Sequence, residues 1–276
     1  MERNSRRAQP RSQKPCGCKM SAERGGETGQ QALAEDLTMI KNEIWNRAKD
    51  AAKKADGDVE ELGLLIQEHP WLPKHWGPLA LMEGRSGQER GTLLMLAAWE
   101  DRWNPTAMLA PLSDVRALDI LGESPLFYAV LCGNKPMRQK MVEALAPHAD
   151  LGAGSEYRAK KSAAMMAVER YQSETADIIL SLMTSADMGH RCEKGANIWH
   201  YMCRSSDAEL SWIDMIEQKP GMLLLLDVED NEGETPRSLA RKRGDDFGAG
   251  LLAKAEAMEM AEAIGEAVSV GSKRRL

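Results

Sequence analysis

The chain has 276 residues, a formal net charge of −6, and 43 % apolar but only 5 % aromatic residues. Ala, Leu and Met stand where a sheet would need β-branched residues, which points to an all-helical chain. No purely apolar stretch, Met222 to Leu226 and the seven-residue Leu93 to Trp99 included, comes near the roughly 18 residues of a membrane span. No signal-peptide core follows the N-terminus. Five dispersed cysteines fit reduced thiols better than a disulfide framework. The expectation is a cytoplasmic protein, with delivery into another cell by a route that needs no signal peptide as the alternative.

In chain order, residues 1–35 come first, with Pro10, Pro15, Gly17, Gly25 and Gly26 among Ser, Arg and Gln. Such a composition cannot bury enough apolar surface, so a disordered basic and Gly-rich tail is expected. Residues 1–20 carry a net +5, leaving −11 on the rest. A solvated tail is the plain reading and a targeting or nucleic-acid arm the other. Cys16 and Cys18 make at best half of a soft-metal site. The segment from Lys41 to Ala55, with Lys41, Glu43, Arg47, Lys49, Lys53 and Lys54, reads as a helix with a polar outer face, and Gly57 to Leu62 as the start of a second.

From Thr92 onward the same signal recurs. Ser124 can cap a helix whose first residue is Pro125, and Leu126, Ala129 and Val130 follow at helical spacing. Gly133 is placed to end that helix in a left-handed conformation. Met137, Met141, Val142 and Leu145 form a second apolar stripe, which Pro147 and His148 interrupt. The unit is a helix pair. Thr92 before Leu93–Ala98, Ser162 before Ala163–Ala167, Asn197 before Ile198 and Thr235 before Pro236 mark further first helices, and Ile178–Met183 a second helix closing at Ala186 and Asp187. Leu239, Ala240 and Gly244 continue the last copy, and Leu251–Val268 reads as the closing helix. The caps Thr92, Ser124, Ser162, Asn197 and Thr235 lie 32, 38, 35 and 38 residues apart, the period of a repeat array rather than a globular enzyme.

Gly122-Glu123-Ser124-Pro125-Leu126, a later glycine and His148-Ala149-Asp150 together resemble the ankyrin repeat, whose pattern runs G-x-T-P-L-H-x-A, glycine, V-V-x-x-L-L, then G-A-D. Gly233-Glu234-Thr235-Pro236 is the second clean copy. The resemblance implies an all-α ankyrin-repeat solenoid of about six helix-turn-helix units over residues 36–268. Its capping and first repeat span about 36–88, and the others about 89–118, 119–153, 159–191, 194–229 and 230–268, with a short basic tail at 269–276. The family histidine is Met95, Phe127, Met165 and Ser238 in four copies, and a histidine only at His200.

The resemblance further implies a non-enzymatic adaptor or scaffold that binds one protein partner in its concave face, as a monomer and without a cofactor, metal, membrane or nucleic acid. A secreted effector or toxin-neutralising protein using the same groove is the alternative. Family contact positions fall on Trp99, Glu100, Ile120, Leu121, Glu123, Leu131, Lys161, Glu169, Arg170, Arg204, Ser205, Glu234, Lys242 and Arg243. Their basic members gather toward the C-terminal half, so the groove is expected to take a partner segment of acidic character near Arg204 and Lys242.

Catalysis is the competing class. The chain has no Gly-rich phosphate loop, no His-Glu-x-x-His helix, no Gly-x-Ser-x-Gly elbow and no kinase signature set. His190, Cys192, His200 and Cys203 have the softness of zinc ligands, yet a helix-start histidine and a small packed thiol explain the latter two. The seven tryptophans, Trp45, Trp71, Trp76, Trp99, Trp103, Trp199 and Trp212, read chiefly as core, with Trp99 as an exposed anchor. Leu126 and Leu182 are expected at repeat junctions.

Overall fold

The computed structural model describes residues 24–54, 59–79, 90–214, 219 and 221–273. Residues 1–23, and with them Cys16, Cys18 and most of the expected tail, lie outside the described residues. Two units are distinguished, residues 1–43 and 44–276.

The first described element is α1 (Arg24–Lys53). It begins well upstream of Lys41, because Gln30, Gln31, Ala32, Leu33, Ala34 and Glu35 are strong helix formers. A reading weighted toward the scarcity of large apolar groups misses that propensity. In the first unit Leu37, Met39 and Ile40 are exposed.

The second unit holds the repeats. Trp45, Ala48, Ala51 and Ala52 are buried at its start. After α2 (Glu60–Glu68), β1 (Gly77–Pro78) pairs antiparallel with β2 (Arg90–Gly91). The pairs that follow are α3 (Leu93–Trp99) with α4 (Trp103–Leu109), then α5 (Pro125–Leu131) with α6 (Lys135–Leu145). The antiparallel strands β3 (Gly154–Ser155) and β4 (Lys161–Ser162) lead into α7 (Ala163–Glu169), α8 (Ser173–Leu182) and the single turn α9 (Ser185–Met188). Next come α10 (Ile198–Arg204), α11 (Ser211–Asp214), α12 (Met222–Leu226), α13 (Pro236–Arg243) and α14 (Asp246–Lys273). The structure is therefore an all-α ankyrin-type array, with α14 running beyond the end expected near Val268.

Each expected cap is made. The side chains of Thr92, Ser124, Ser162, Asn197 and Thr235 accept hydrogen bonds from the backbone N–H of the residue three places on, at 3.3, 3.1, 3.3, 3.3 and 3.0 Å. Five short helices thus start in register. Helices of seven or eight residues are not stable alone, and these gain stability by stacking: α3 packs on α5, α5 on α7, α7 on α10 and α10 on α13. The second helices α4, α6 and α8 form the other layer. Leu126, Ala129 and Val130 of α5 are fully buried, with Leu93–Ala98 behind them and Ala163–Val168 in front.

Two expectations need correcting. Gly133 is not left-handed, because the chain leaves α5 through extended Cys132 (φ −51°, ψ 133°). The left-handed residues closing first helices are Asp101, Tyr171 and Gly244. Leu182 is not buried at its junction: it is 43 % exposed at the rim of a cavity of about 400 Å³, with Arg116, Pro147, Leu151 and Asp187. Leu180, two residues earlier, is buried in its place. Of the tryptophans, Trp45, Trp199 and Trp212 are buried, and Trp71, Trp76, Trp99 and Trp103 are partly buried against the core.

Candidate functional site

The turns before α5 and α13 are built from one short motif. In Asp119-Ile120-Leu121-Gly122-Glu123, the Asp119 carboxylate accepts the backbone N–H groups of Leu121 and Glu123, both at 2.8 Å. Gly122 supplies the positive φ of 72° that the reversal needs. Asp230-Asn231-Glu232-Gly233-Glu234 repeats the arrangement, with Asp230 accepting from Glu232 at 2.8 Å and Glu234 at 3.0 Å. The shared Asp-x-x-Gly-Glu string was the signal available in the sequence for this clamp. At the turn between them the backbone pattern is kept by Cys192, Gly195 and Ala196 without a carboxylate.

Successive turns are tied together. Tyr157 N–H donates to the Leu121 carbonyl at 3.4 Å, Glu193 N–H to Ala159 at 2.8 Å and Asn231 N–H to Lys194 at 2.9 Å. His200 adds a side-chain brace: Nδ1 lies 3.1 Å from the Asn197 backbone nitrogen and 2.7 Å from Asn197 Oδ1, and Nε2 donates to the Glu234 carbonyl at 3.0 Å. A carbonyl only accepts, so Nε2 carries a proton. Burial holds the His200 pKa below the ordinary value.

Glu123, expected on the surface, is fully buried. Its Oε1 accepts from Ser155 Oγ at 3.2 Å and Arg158 Nε at 3.3 Å, while Oε2 has no partner among the described residues. Burial and then the nearby Asp119 push its pKa up, with Arg158 opposing. Glu123 therefore fastens the β3–β4 hairpin and is not available to a partner. Ser205 is likewise buried. Ile120 (66 % exposed) and Tyr157 (57 % exposed) remain at the tips of neighbouring turns, and Leu121 is partly exposed.

The ends of the first helices form a second row: Trp99, Leu131, Glu169, Arg204 and Arg243 are the last residues of α3, α5, α7, α10 and α13. Trp99 is half-buried, edge-on to Tyr128 with ring centroids 5.8 Å apart, and Leu131 also packs on the core. Glu100 pairs with Lys53 at 3.7 Å.

The basic end is neutralised within the chain. Arg204 pairs with Asp230 at 2.5 Å, Lys242 with Glu234 at 2.5 Å and Arg243 with Asp245 at 2.5 Å. Although burial opposes it, the Arg204 pair and the turn N–H groups hold the Asp230 carboxyl below its ordinary pKa. Arg243 also donates to the carbonyls of Met202 (3.2 Å), Cys203 (3.3 Å) and Ser205, closing the C-terminus of α10. These residues line a depression of about 450 Å³ with Cys203, Ser206 and Leu239. Lys161 is held by Glu169 at 2.5 Å and lies 5.8 Å above the Tyr201 ring. The row thus carries ion pairs where the sequence suggested free positive charge. Sequence reasoning paired none of them because Asp230 and Asp245 lie outside the contact positions, and Glu169 and Glu234 face their lysines only in the folded chain.

The four soft side chains have separate partners. His190 Nε2 contacts the Lys160 carbonyl at 2.6 Å, Tyr201 Oη donates to Cys192 Sγ at 3.5 Å, and Cys203 Sγ contacts the Pro236 carbonyl at 3.4 Å. Burial pushes the Cys203 thiol up to about 12. No group of three or more His, Cys, Asp or Glu side chains among the described residues could hold a metal ion. None of the helices among them is long and apolar enough to cross a membrane.

No family model matches the chain, and no curated protein matches it. Solved structures do. An ankyrin repeat domain from Acinetobacter baumannii AYE is 21 % identical over 75 % of this chain and 96 % of its own, with a TM-score of 0.53. The ankyrin repeat protein EF0377 is 16 % identical over 78 % of this chain and 96 % of its own, with a TM-score of 0.50. A complex of a predatory endopeptidase from Bdellovibrio bacteriovorus with an immunity protein contains a chain 20 % identical over 75 % of this chain and 97 % of its own, with a TM-score of 0.47. What the first two share with this chain is the fold.

Proposed function

The chain is an ankyrin-repeat protein by fold, and from that premise we propose that it is a non-enzymatic module binding a partner protein through its turn tips and first-helix ends. The observation that carries this reading is the contrast along those two rows. Their acidic and basic groups are largely satisfied within the chain, whereas Ile120 and Tyr157 present apolar surface on adjacent turns. Large apolar and aromatic side chains on a rigid frame are the usual anchors of a protein interface. A stable contact of this kind buries about 1,200 to 2,000 Å² in total, which a strip crossing several repeats supplies. The adaptor role follows from the same surface, since one chain offers several repeats in series to an extended partner.

The test is capture from the native organism with the wild-type chain and with an Ile120→Asp, Tyr157→Asp variant, alongside a screen for hydrolase and transferase turnover. The reading predicts one stoichiometric partner that the variant loses while its melting temperature stays unchanged. A variant that captures the same partner equally well contradicts the proposed surface, and turnover that survives further purification contradicts the non-enzymatic assignment.

A further inference from the structure

The turn between α7 and α8 holds a residue that the backbone disfavours. Gln172 N–H bonds to the Ala167 carbonyl at 3.0 Å and Tyr171 N–H to Val168 at 3.1 Å, which closes α7 with Tyr171 in the left-handed region at φ 56°. The turn after α3 is built the same way, with Arg102 N–H on Ala97 at 2.9 Å and Asp101 at φ 60°. At the end of α13 the position is Gly244, at φ 68°. Glycine takes this conformation without cost and aspartate tolerates it, but a bulky aromatic residue pays for it in backbone strain.

Packing within the chain does not repay that cost. The Tyr171 ring is 60 % exposed and makes no hydrogen bond or ring contact among the described residues. Beside it, Arg170 is exposed, and its guanidinium has no ion-pair or hydrogen-bond partner among the described residues. Lys161, Arg204, Lys242 and Arg243, by contrast, are each held by an acid of this chain. An unpaired cation and a strained, solvent-facing aromatic ring therefore stand side by side, next in sequence to Glu169, which holds Lys161 over the half-buried Tyr201 ring.

We propose that Arg170 and Tyr171 are the anchor of the binding surface, and that they take a polypeptide segment in which a carboxylate side chain lies next to a large apolar one. The inference rests on the protein-binding reading above and deepens it. The carboxylate meets the unpaired Arg170 guanidinium, and the apolar side chain covers the exposed ring. The acidic feature expected of the partner is thereby moved from Arg204 and Lys242 to the middle repeat.

Tyr171→Gly separates function from structure because the two predict opposite signs. Relief of the left-handed strain should raise the melting temperature by roughly 2 to 4 °C, while the same substitution should weaken binding. The probe is a displayed library of random twelve-residue peptides selected on the full chain, with the enriched peptides then titrated onto each variant. The expected result is enrichment of Asp or Glu adjacent to Leu, Ile, Phe or Trp. Affinity should fall about tenfold or more in Tyr171→Gly and in Arg170→Glu, and be largely kept in Tyr171→Phe. Enriched peptides that bind Tyr171→Gly as tightly as wild type, or that lack the acidic–apolar pair, overturn this inference and leave the protein-binding reading standing. Failure to enrich any peptide overturns both.

Discussion

At the scale of single residues, His200 makes part of the stability depend on pH. Burial depresses the folded-state pKa below the ordinary 6.5, so as pH falls the unfolded chain takes up this proton before the folded one. The stability that His200 contributes is fully present above about pH 6.5 and is lost as pH falls through the folded-state value. Urea midpoints measured from about pH 7.5 down to about pH 5 should therefore fall more steeply for the wild type than for His200→Gln. Parallel curves would mean that burial does not hold the His200 pKa down. The role of His200 could be read from its place at the helix start. That of Glu123 could not, because its partners Ser155 and Arg158 lie 32 and 35 residues further on, and a turn-tip glutamate is solvent-facing unless a neighbouring hairpin covers it. In the sequence Tyr171 stands where Gly133 would align, and its strain follows from a backbone angle that the sequence does not state.

At the scale of elements, a first helix depends on its cap and on its neighbours in unequal measure. Ser124→Ala removes one cap and should cost about 1 kcal/mol. Leu126→Ala empties a fully buried site between α3 and α7 and should cost about 2 to 5 kcal/mol. Leu182→Ala, at a half-open rim, should cost about 1 kcal/mol or less. Denaturant titration of the three variants checks the order, and a Leu182 effect equal to that of Leu126 would contradict the register of α8. Helix starts were legible because a cap is a local bond between residues three apart. Helix ends were less so: α5 leaves through extended Cys132, and α10 is closed by Arg243 from the following repeat. Such tertiary caps leave no mark near the helix they close.

At the scale of the whole molecule, the array was legible because repeats make the contacts of one unit predictable from the next, and the five caps fix the period. The character of the candidate face was less legible. Residue charge along the rows suggested a basic end, but a charge counts toward a partner only after its intramolecular pairs are subtracted, and those pairs join residues 8 to 26 apart in sequence or sit in the adjoining turn. The central claim is that a protein partner lies across the turn tips and first-helix ends. Hydrogen exchange on the captured complex and on the free chain tests it most directly. The account predicts added protection at residues 119–123, 156–161, 169–172 and 193–195, with α6 and α8 unchanged; protection confined to α6 and α8 would contradict it.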